Sequence, residues 1–446
     1  MSRTSPTRAI ASNEARALLP MFIACVTAAA LAALAGGDAR QFSQMAFLAA
    51  LVGLGAQSIG HEYGDRTLGL TLTLPVSRRR LFLVKLAVLA AMAVPAAAGA
   101  SLLRLFAEEP ALPWLAAAVA LCIAPSLTML CRGQLAGFIF SLSAPGTALV
   151  ATMIATGTPL DAPAPLALWK RLMIVLLAAG AVAGWRLFMR LEAIEGVATL
   201  IRVGWWSATP RSVEPKHQIW QLVKKELRVQ QMTFVITAMY LAACAAIHIV
   251  HPPMLRGRVS FIGAVSVIYE LGLAVLAGSL ASAEERHLGT LAWQLQLPTP
   301  VWQQWAVKVA TVFGVTLLLS IGVPVLLVPA LWPAETPLIE MPIVLAVVMT
   351  AVSMYVSSIS VSAVRAVVTS AVAVSFILWL VVAPQLWTAR YSGPAALLSA
   401  GAALLVAFAF VNHRPEPPPA ARIWRQTLAV AALIGAGAAV VEIARF

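Results

Sequence analysis

Glu62 to Lys85 reads EYGDRTLGLTLTLPVSRRRLFLVK, and Glu285 to Lys308 reads ERHLGTLAWQLQLPTPVWQQWAVK. Laid side by side without a gap, at a constant offset of 223, the stretches agree at eight of 24 positions. The pairs are Glu62/Glu285, Thr67/Thr290, Leu68/Leu291, Leu72/Leu295, Leu74/Leu297, Pro75/Pro298, Val84/Val307 and Lys85/Lys308. Leucine pairs carry little weight in so apolar a chain. Glu, Thr and Lys at fixed spacing carry more, because only 11% of the 446 residues are charged. Repeats set the architecture and are read before other motifs. The chain reads as two copies of one unit.

What kind of unit follows from composition. Hydrophobic residues make up 61% of the chain, and the mean hydropathy is +0.87, whereas soluble domains average roughly 45–50% apolar and about 25% charged. A hydrocarbon core about 30 Å thick is crossed by roughly 20 apolar residues in a helix. Such stretches occur at 18–36, 43–60, 83–103, 114–131, 134–155 and 172–189, and again at 232–250, 260–282, 309–329, 342–364, 366–387 and 395–412. The expected fold is all-α: a polytopic helical membrane protein of two tandem six-helix units, with about 12 transmembrane helices. A thirteenth apolar stretch, 427–441, either spans or lies at the surface. The expected organisation is a first membrane unit at 1–189, a cytoplasmic linker at 190–217, a second membrane unit at 218–412 and a tail at 413–446.

Thirty-one Lys and Arg against 18 Asp and Glu give a formal charge of +13. The basic residues flank the apolar spans, so the positive-inside rule accounts for them and no nucleic-acid partner is implied. A cytoplasmic N-terminus leaves only eight of the 31 basic residues outside. The expected location is the cell (inner) membrane, multi-pass. The first stretch, which mimics a secretory signal, reads as an uncleaved first span because further spans follow. Cys25, Cys122, Cys131 and Cys244 all fall within apolar spans and suggest no disulfide framework.

The repeated loop resembles the segment between the second and third membrane helices of ABC type-2 permeases, the membrane halves of ATP-binding-cassette exporters. That pattern runs Glu, Gly-Thr-Leu, a leucine-rich turn, Leu-Pro and then Lys. The second copy follows it through Glu285, Gly289, Thr290, Leu291, Leu295, Leu297, Pro298 and Lys308; the first has Arg66 in place of the glycine before Thr67. The resemblance implies a short coupling helix that docks a soluble ATPase. The ATPase-coupling residues it marks are Glu62, Thr67, Leu68, Leu72, Pro75 and Lys85 in one copy, and Glu285, Gly289, Thr290, Leu291, Leu295, Pro298 and Lys308 in the other. Leu68, Leu72, Trp293 and Leu297 offer an apolar surface for that partner. The prolines stop the element, and the lysines mark the interface where the next span begins. By pattern alone, Leu68, Leu70, Leu72 and Leu74 alternate with period two, which favours a strand.

Before the seventh span, Gln218 to Gln231 (QIWQLVKKELRVQQ) separates apolar Ile219, Trp220, Leu222, Val223 and Leu227 from Lys224, Lys225 and Arg228. Such a helix lies in the membrane interface and resembles the family's elbow helix. A shorter version at Ile10 to Leu18 carries Glu14 and Arg16 as echoes of Glu226 and Arg228.

No Gly-Lys dipeptide occurs in the chain, so it lacks a phosphate-binding loop, and ATP is expected on a partner subunit. No catalytic residue, resident cofactor or metal is assigned. Cys244, His248 and His251 share a helix face, but no acidic residue lies nearby to orient them as ligands. Glu270, inside the eighth span in VIYELGL, is a candidate pathway residue. A carboxyl at that depth is costly and faces a cavity or a partner; the bland reading is a neutral brace between helices. The runner-up function is a secondary ion- or proton-coupled transporter, since six-plus-six repeats build that class too. The exported substrate is open on either reading.

Overall fold

The structure, a computed structural model, describes residues 6–64, 67–73, 75–156, 163–191, 218–250, 255–287, 289–296, 298–327, 340–382, 392–416 and 418–443. The expected linker beyond Leu191, together with Arg66, Leu74, His251 and Leu297, lies outside these ranges. The chain divides into two compact units, Met1–Ser212 and Val213–Phe446.

The first unit contains α1 (Pro6–Leu34), α2 (Gly37–Gly64), α3 (Leu68–Leu72), α4 (Arg78–Leu102), α5 (Leu112–Cys122), α6 (Ala124–Cys131), α7 (Gln134–Thr156) and α8 (Pro163–Met189). The second contains α9 (Gln218–Val229), α10 (Gln231–Val250), α11 (Leu255–His287), α12 (Thr290–Leu295), α13 (Val301–Thr316), α14 (Val323–Leu327), α15 (Glu340–Ile359), α16 (Ala363–Val382), α17 (Ser392–Val411) and α18 (Ala420–Ile443). Among the described residues, nine helices are long and apolar enough to cross a membrane, or ten if the bent pair α5–α6 is one span. Large apolar side chains such as Ile23, Ile174, Val267 and Leu318 are exposed in mid-helix, whereas Ser43, Gln57, Ser279 and Thr350 are buried. Polar groups inside and apolar groups outside are what a polytopic helical membrane protein requires, because hydrocarbon cannot solvate the former.

Two helices are interrupted where backbone bonds are lost. In the first unit the chain bends by 40° between α5 and α6, beside Pro125, which cannot donate to the Leu121 carbonyl four residues before it. In the second unit Pro324 denies a donor to Ser320 in the same way, and Leu317–Gly322 widens into a π-helical turn. The Tyr269 hydroxyl donates to the Leu319 carbonyl exposed there, at 3.0 Å. One expectation changes. The short interfacial helix at Ile10 to Leu18 is continuous with the first span in α1, while its counterpart α9 is separated from α10 at Gln230.

Within each unit the second span, α2 or α11, is more buried than the other long apolar helices. Helices in lipid associate by close packing rather than by expelling water, so small residues decide where they meet. A Cβ on Gly55 would lie 2.2 Å from the Ala120 carbonyl oxygen, and one on Gly278 would lie 2.5 Å from that of Thr350. These glycines are again 223 apart. Each lets the fourth span of its unit press against the second. Ser357 of α15 tightens the second contact: its hydroxyl accepts from the Ser282 and Ala283 amides and donates to the Ser279 carbonyl.

Leucine at either glycine would push the two backbones apart. Gly55→Leu and Gly278→Leu should each lower the midpoint of thermal unfolding in detergent, with losses of about 1–3 kcal/mol. Leucine at Gly272, where a Cβ meets nothing within 4 Å, should be tolerated; equal losses at all three positions would remove the special role of the two contacts.

Candidate functional site

The repeated Glu and Lys meet in space, and a third residue joins them. In the first unit the Lys85 ammonium donates to Glu14 Oε2 at 2.5 Å and to the Ser58 carbonyl at 3.1 Å, and it lies 3.0 Å from Glu62 Oε1. In the second unit the Lys308 ammonium donates to Glu226 Oε2 at 3.1 Å and to the Ala281 carbonyl at 2.6 Å, and it lies 2.8 Å from Glu285 Oε2. Ser58 and Ala281 are themselves 223 apart. Each ammonium, with three protons to place, therefore faces two carboxylates and one carbonyl. All six charged side chains are buried, and Lys308 is wholly so.

The lysines are thus not interfacial residues reaching for headgroups, as their spacing suggests. Partners drawn from two other helices hold them inside. Glu14 on α1, Glu62 on α2 and Lys85 on α4 tie three helices at one level, as do Glu226 on α9, Glu285 on α11 and Lys308 on α13. Burial pushes the Glu226 carboxyl above the usual carboxylate range, against the pull of Lys308.

The loop between each Glu and Lys holds a short helix, α3 or α12. Pattern alone would have made it a strand; the geometry of closing 24 residues onto one ion cluster makes it a compact turn and helix. The repeated Thr fixes its start: the Thr67 amide donates to the Glu62 carbonyl at 3.0 Å, and the Thr290 hydroxyl to the Glu285 carbonyl at 3.3 Å. Gly289 sits at φ +70°, a turn that side-chain-bearing residues rarely adopt. Leu68 is buried, so it does not present the expected surface, and Leu291 is buried as well, whereas Leu70 is 71% exposed. Leu72 and Leu295 are half-buried, and Pro75 and Pro298 are exposed.

The clusters differ in their fourth member. Lys225 bonds to Glu285 and to Gln294 of α12, and lies 3.4 Å from Glu226. In the first unit Asn13 stands at the position matching Lys225, and His61 Nε2 lies 3.8 Å from Glu14 Oε2 instead. Two carboxylates and two ammoniums balance in the second unit; the first has one ammonium and an imidazole.

Arg286 carries no signal in the sequence but organises the same region. Its guanidinium caps the end of α15, donating to the carbonyls of Ser357, Ser358 and Ser360 at 3.3, 3.0 and 2.7 Å. The Trp305 ring lies 5.2 Å from that of His413, whose two nitrogens are buried with no hydrogen-bond partner among the described residues. Burial first, and then nearby Lys308, push this imidazole down from 6.5 to about 3.

Glu270 is buried, with no hydrogen bond or ion pair among the described residues. Its neighbour Tyr269 stacks on Tyr240 at 4.0 Å and bonds to Thr237. Cys244 is buried in the same cluster, and the described residues contain no group of three His, Cys, Asp or Glu able to hold a metal. No family model, curated protein or solved structure matches the chain.

Removing one member of a buried ion cluster strands the others. Lys308→Met should destabilise the protein by about 3–5 kcal/mol, whereas Lys308→Met with Glu226→Gln leaves Lys225 opposite Glu285 and should recover most of the loss in thermal unfolding. Equal losses would show that the charges do not act as a unit. His413 gives a pH signature. Between pH 6.5 and about 3 the unfolded chain binds a proton that the folded chain excludes, so the stability is intact above 6.5 and is lost as pH falls below it. His413→Phe should flatten the fall in unfolding temperature between about pH 7 and pH 5; an unaltered slope would assign that fall to other groups.

Proposed function

We propose that the chain is the membrane permease of an ATP-binding-cassette exporter, with both membrane halves in one polypeptide. The observation that carries this reading is a short helix built twice, each time within a stretch whose first and last residues, a Glu and a Lys on the flanking helices, meet in a buried ion cluster. A motor outside the membrane can drive helices only through an element that does not deform under load, and α3 and α12 are held in that manner. The residues that suit this role are Glu62, Thr67 and Lys85, and Glu285, Gly289, Thr290 and Lys308, with Leu70 as the apolar contact on the exposed side of α3.

On this reading the spans number twelve: α1, α2, α4, α5–α6, α7 and α8, then α10, α11, α13–α14, α15, α16 and α17, with α18 a thirteenth apolar helix. The N-terminus and both short helices face the cytoplasm of a cell whose inner membrane holds the protein. Separate soluble ATPase subunits bind and hydrolyse ATP, one docked on each short helix. Glu270 belongs to the export pathway, where an unpartnered buried carboxyl meets a cationic part of the substrate. A secondary carrier explains six-plus-six repetition equally well, but assigns no task to two anchored short helices.

The test is docking. Leu70→Asp together with Ala292→Glu, both at exposed positions, should reduce the ATPase activity that co-purifies with the chain by about tenfold or more, while membrane insertion and thermal stability stay as in the unaltered protein. Transport by the purified chain alone in vesicles, driven by an ion gradient, would replace this reading with the carrier.

A further inference from the structure

The 40° bend between α5 and α6 leaves a space that the neighbouring helices do not fill. A groove of about 360 Å³ runs between α4, the bend and α8. Its floor is formed at Leu121, Cys122 and Pro125, and its rims include Ala87 and Ala181. Both alanines are exposed. The groove is kept narrow at one point by Gly180, where a Cβ would lie 2.8 Å from the Cys122 carbonyl oxygen.

The chemistry changes in order along α4. Leu83, Leu86 and Ala90 line the groove, and counting back along the same helix face by 3.6-residue steps reaches Arg79. The level of Arg79 is set by its neighbour: the Arg78 guanidinium donates to the Met189 carbonyl at the end of α8, at 2.9 Å. One turn deeper lie Phe82 and Trp185, whose rings meet edge to face at 5.8 Å. Below them the lining is apolar. Arg79 and Arg80 are exposed, and no acidic side chain pairs with either among the described residues. A cation, then an aromatic layer, then an apolar slot, in that order from the membrane face inward, match a headgroup, a glycerol region and an acyl chain.

We propose that the first unit binds one anionic glycerophospholipid, its phosphate at Arg79 and one acyl chain in the groove at the α5–α6 bend. Basic positions beside clefts between membrane helices select anionic headgroups in this way. The α4 helix carries Lys85 on another face, so the lipid braces the helix that closes the first ion cluster. This site rests on the groove and the arginine alone and stands whether or not the chain is an exporter permease.

Phosphatidylglycerol carrying a photoactivatable group on its acyl chain, added to the full-length protein in detergent, should label peptides from α4, the α5–α6 bend and α8. Unlabelled phosphatidylglycerol should compete; phosphatidylcholine of the same chain length should not. Arg79→Gln should weaken labelling about fivefold, and Ala181→Trp or Ala87→Trp, which fill the slot from opposite rims, should abolish it. Competition by phosphatidylcholine as strong as by phosphatidylglycerol would overturn the headgroup assignment. Labelling spread evenly over all exposed apolar helices, or undiminished in the tryptophan variants, would show unselective annular lipid only. The competition arm needs no variant, so misfolding of one cannot protect the proposal.

Discussion

An ammonium removed from water must be surrounded by opposite charge or lose its proton, and this constraint shapes both units. Lys85 and Lys308 begin as the last residues of a repeated loop, yet each ends enclosed by two carboxylates and a carbonyl. The enclosure draws in three helices at once. Once Glu14, Glu62 and Lys85 are joined, the loop between the last two has both ends fixed at a single level, and α3 has nowhere to go but against its own unit through Leu68. The same steps, with Glu226, Glu285, Lys308 and Leu291, place α12.

The two units satisfy this requirement with different fourth residues. Lys225 reaches from α9 to Glu285 and on to Gln294, so in the second unit the short helix is tied to α9 as well as to the longer helices. Thr71 stands where Gln294 does and bonds to its own helix at Thr67, which leaves α3 without that tie. The triad is common to both units and its surroundings differ: Gly289 supplies a left-handed turn where the other copy has Arg66, and the His61 imidazole lies beside Glu14 where the second unit has Lys225. The short helix of the second unit is therefore held by more attachments than that of the first.

The membrane class and the repeat were legible because both rest on patterns local in sequence: long apolar runs, and polar residues recurring at a fixed spacing. The triad was only half legible. Glu62 and Lys85 were visible as a repeated pair, but Glu14 and Glu226 repeat at an offset of 212 rather than 223, so gap-free alignment hides their kinship with the loop. Without a third partner in view, a lysine at the start of a span reads as interfacial. Prolines were similarly ambiguous. Pro20, Pro95 and Pro145 lie inside uninterrupted helices, while Pro125 and Pro324 accompany a bend and a π-turn, and only packing against neighbours decides which. Gly55 and Gly278 share the repeat offset, yet glycine is common enough in the chain that their pairing carried no signal.

Buried charge is a poor source of stability as such, since apolar residues of similar volume often hold a core equally well. Its value in lipid lies in register. Helices packed through glycine and alanine present smooth faces, and the surrounding hydrocarbon does not penalise one sliding along another, because both environments are equally apolar. A slip of one turn moves side chains about 5.4 Å along the axis. Apolar contacts survive such a shift with new neighbours. The triads do not: the same slip of α4 past α2 would strand Lys85 from Glu62 and leave both desolvated. The glycines therefore determine how closely α2 approaches α5 and α11 approaches α15, and the charges determine the height at which the three helices of each triad lock. A unit that must move as a body rather than shear internally needs both.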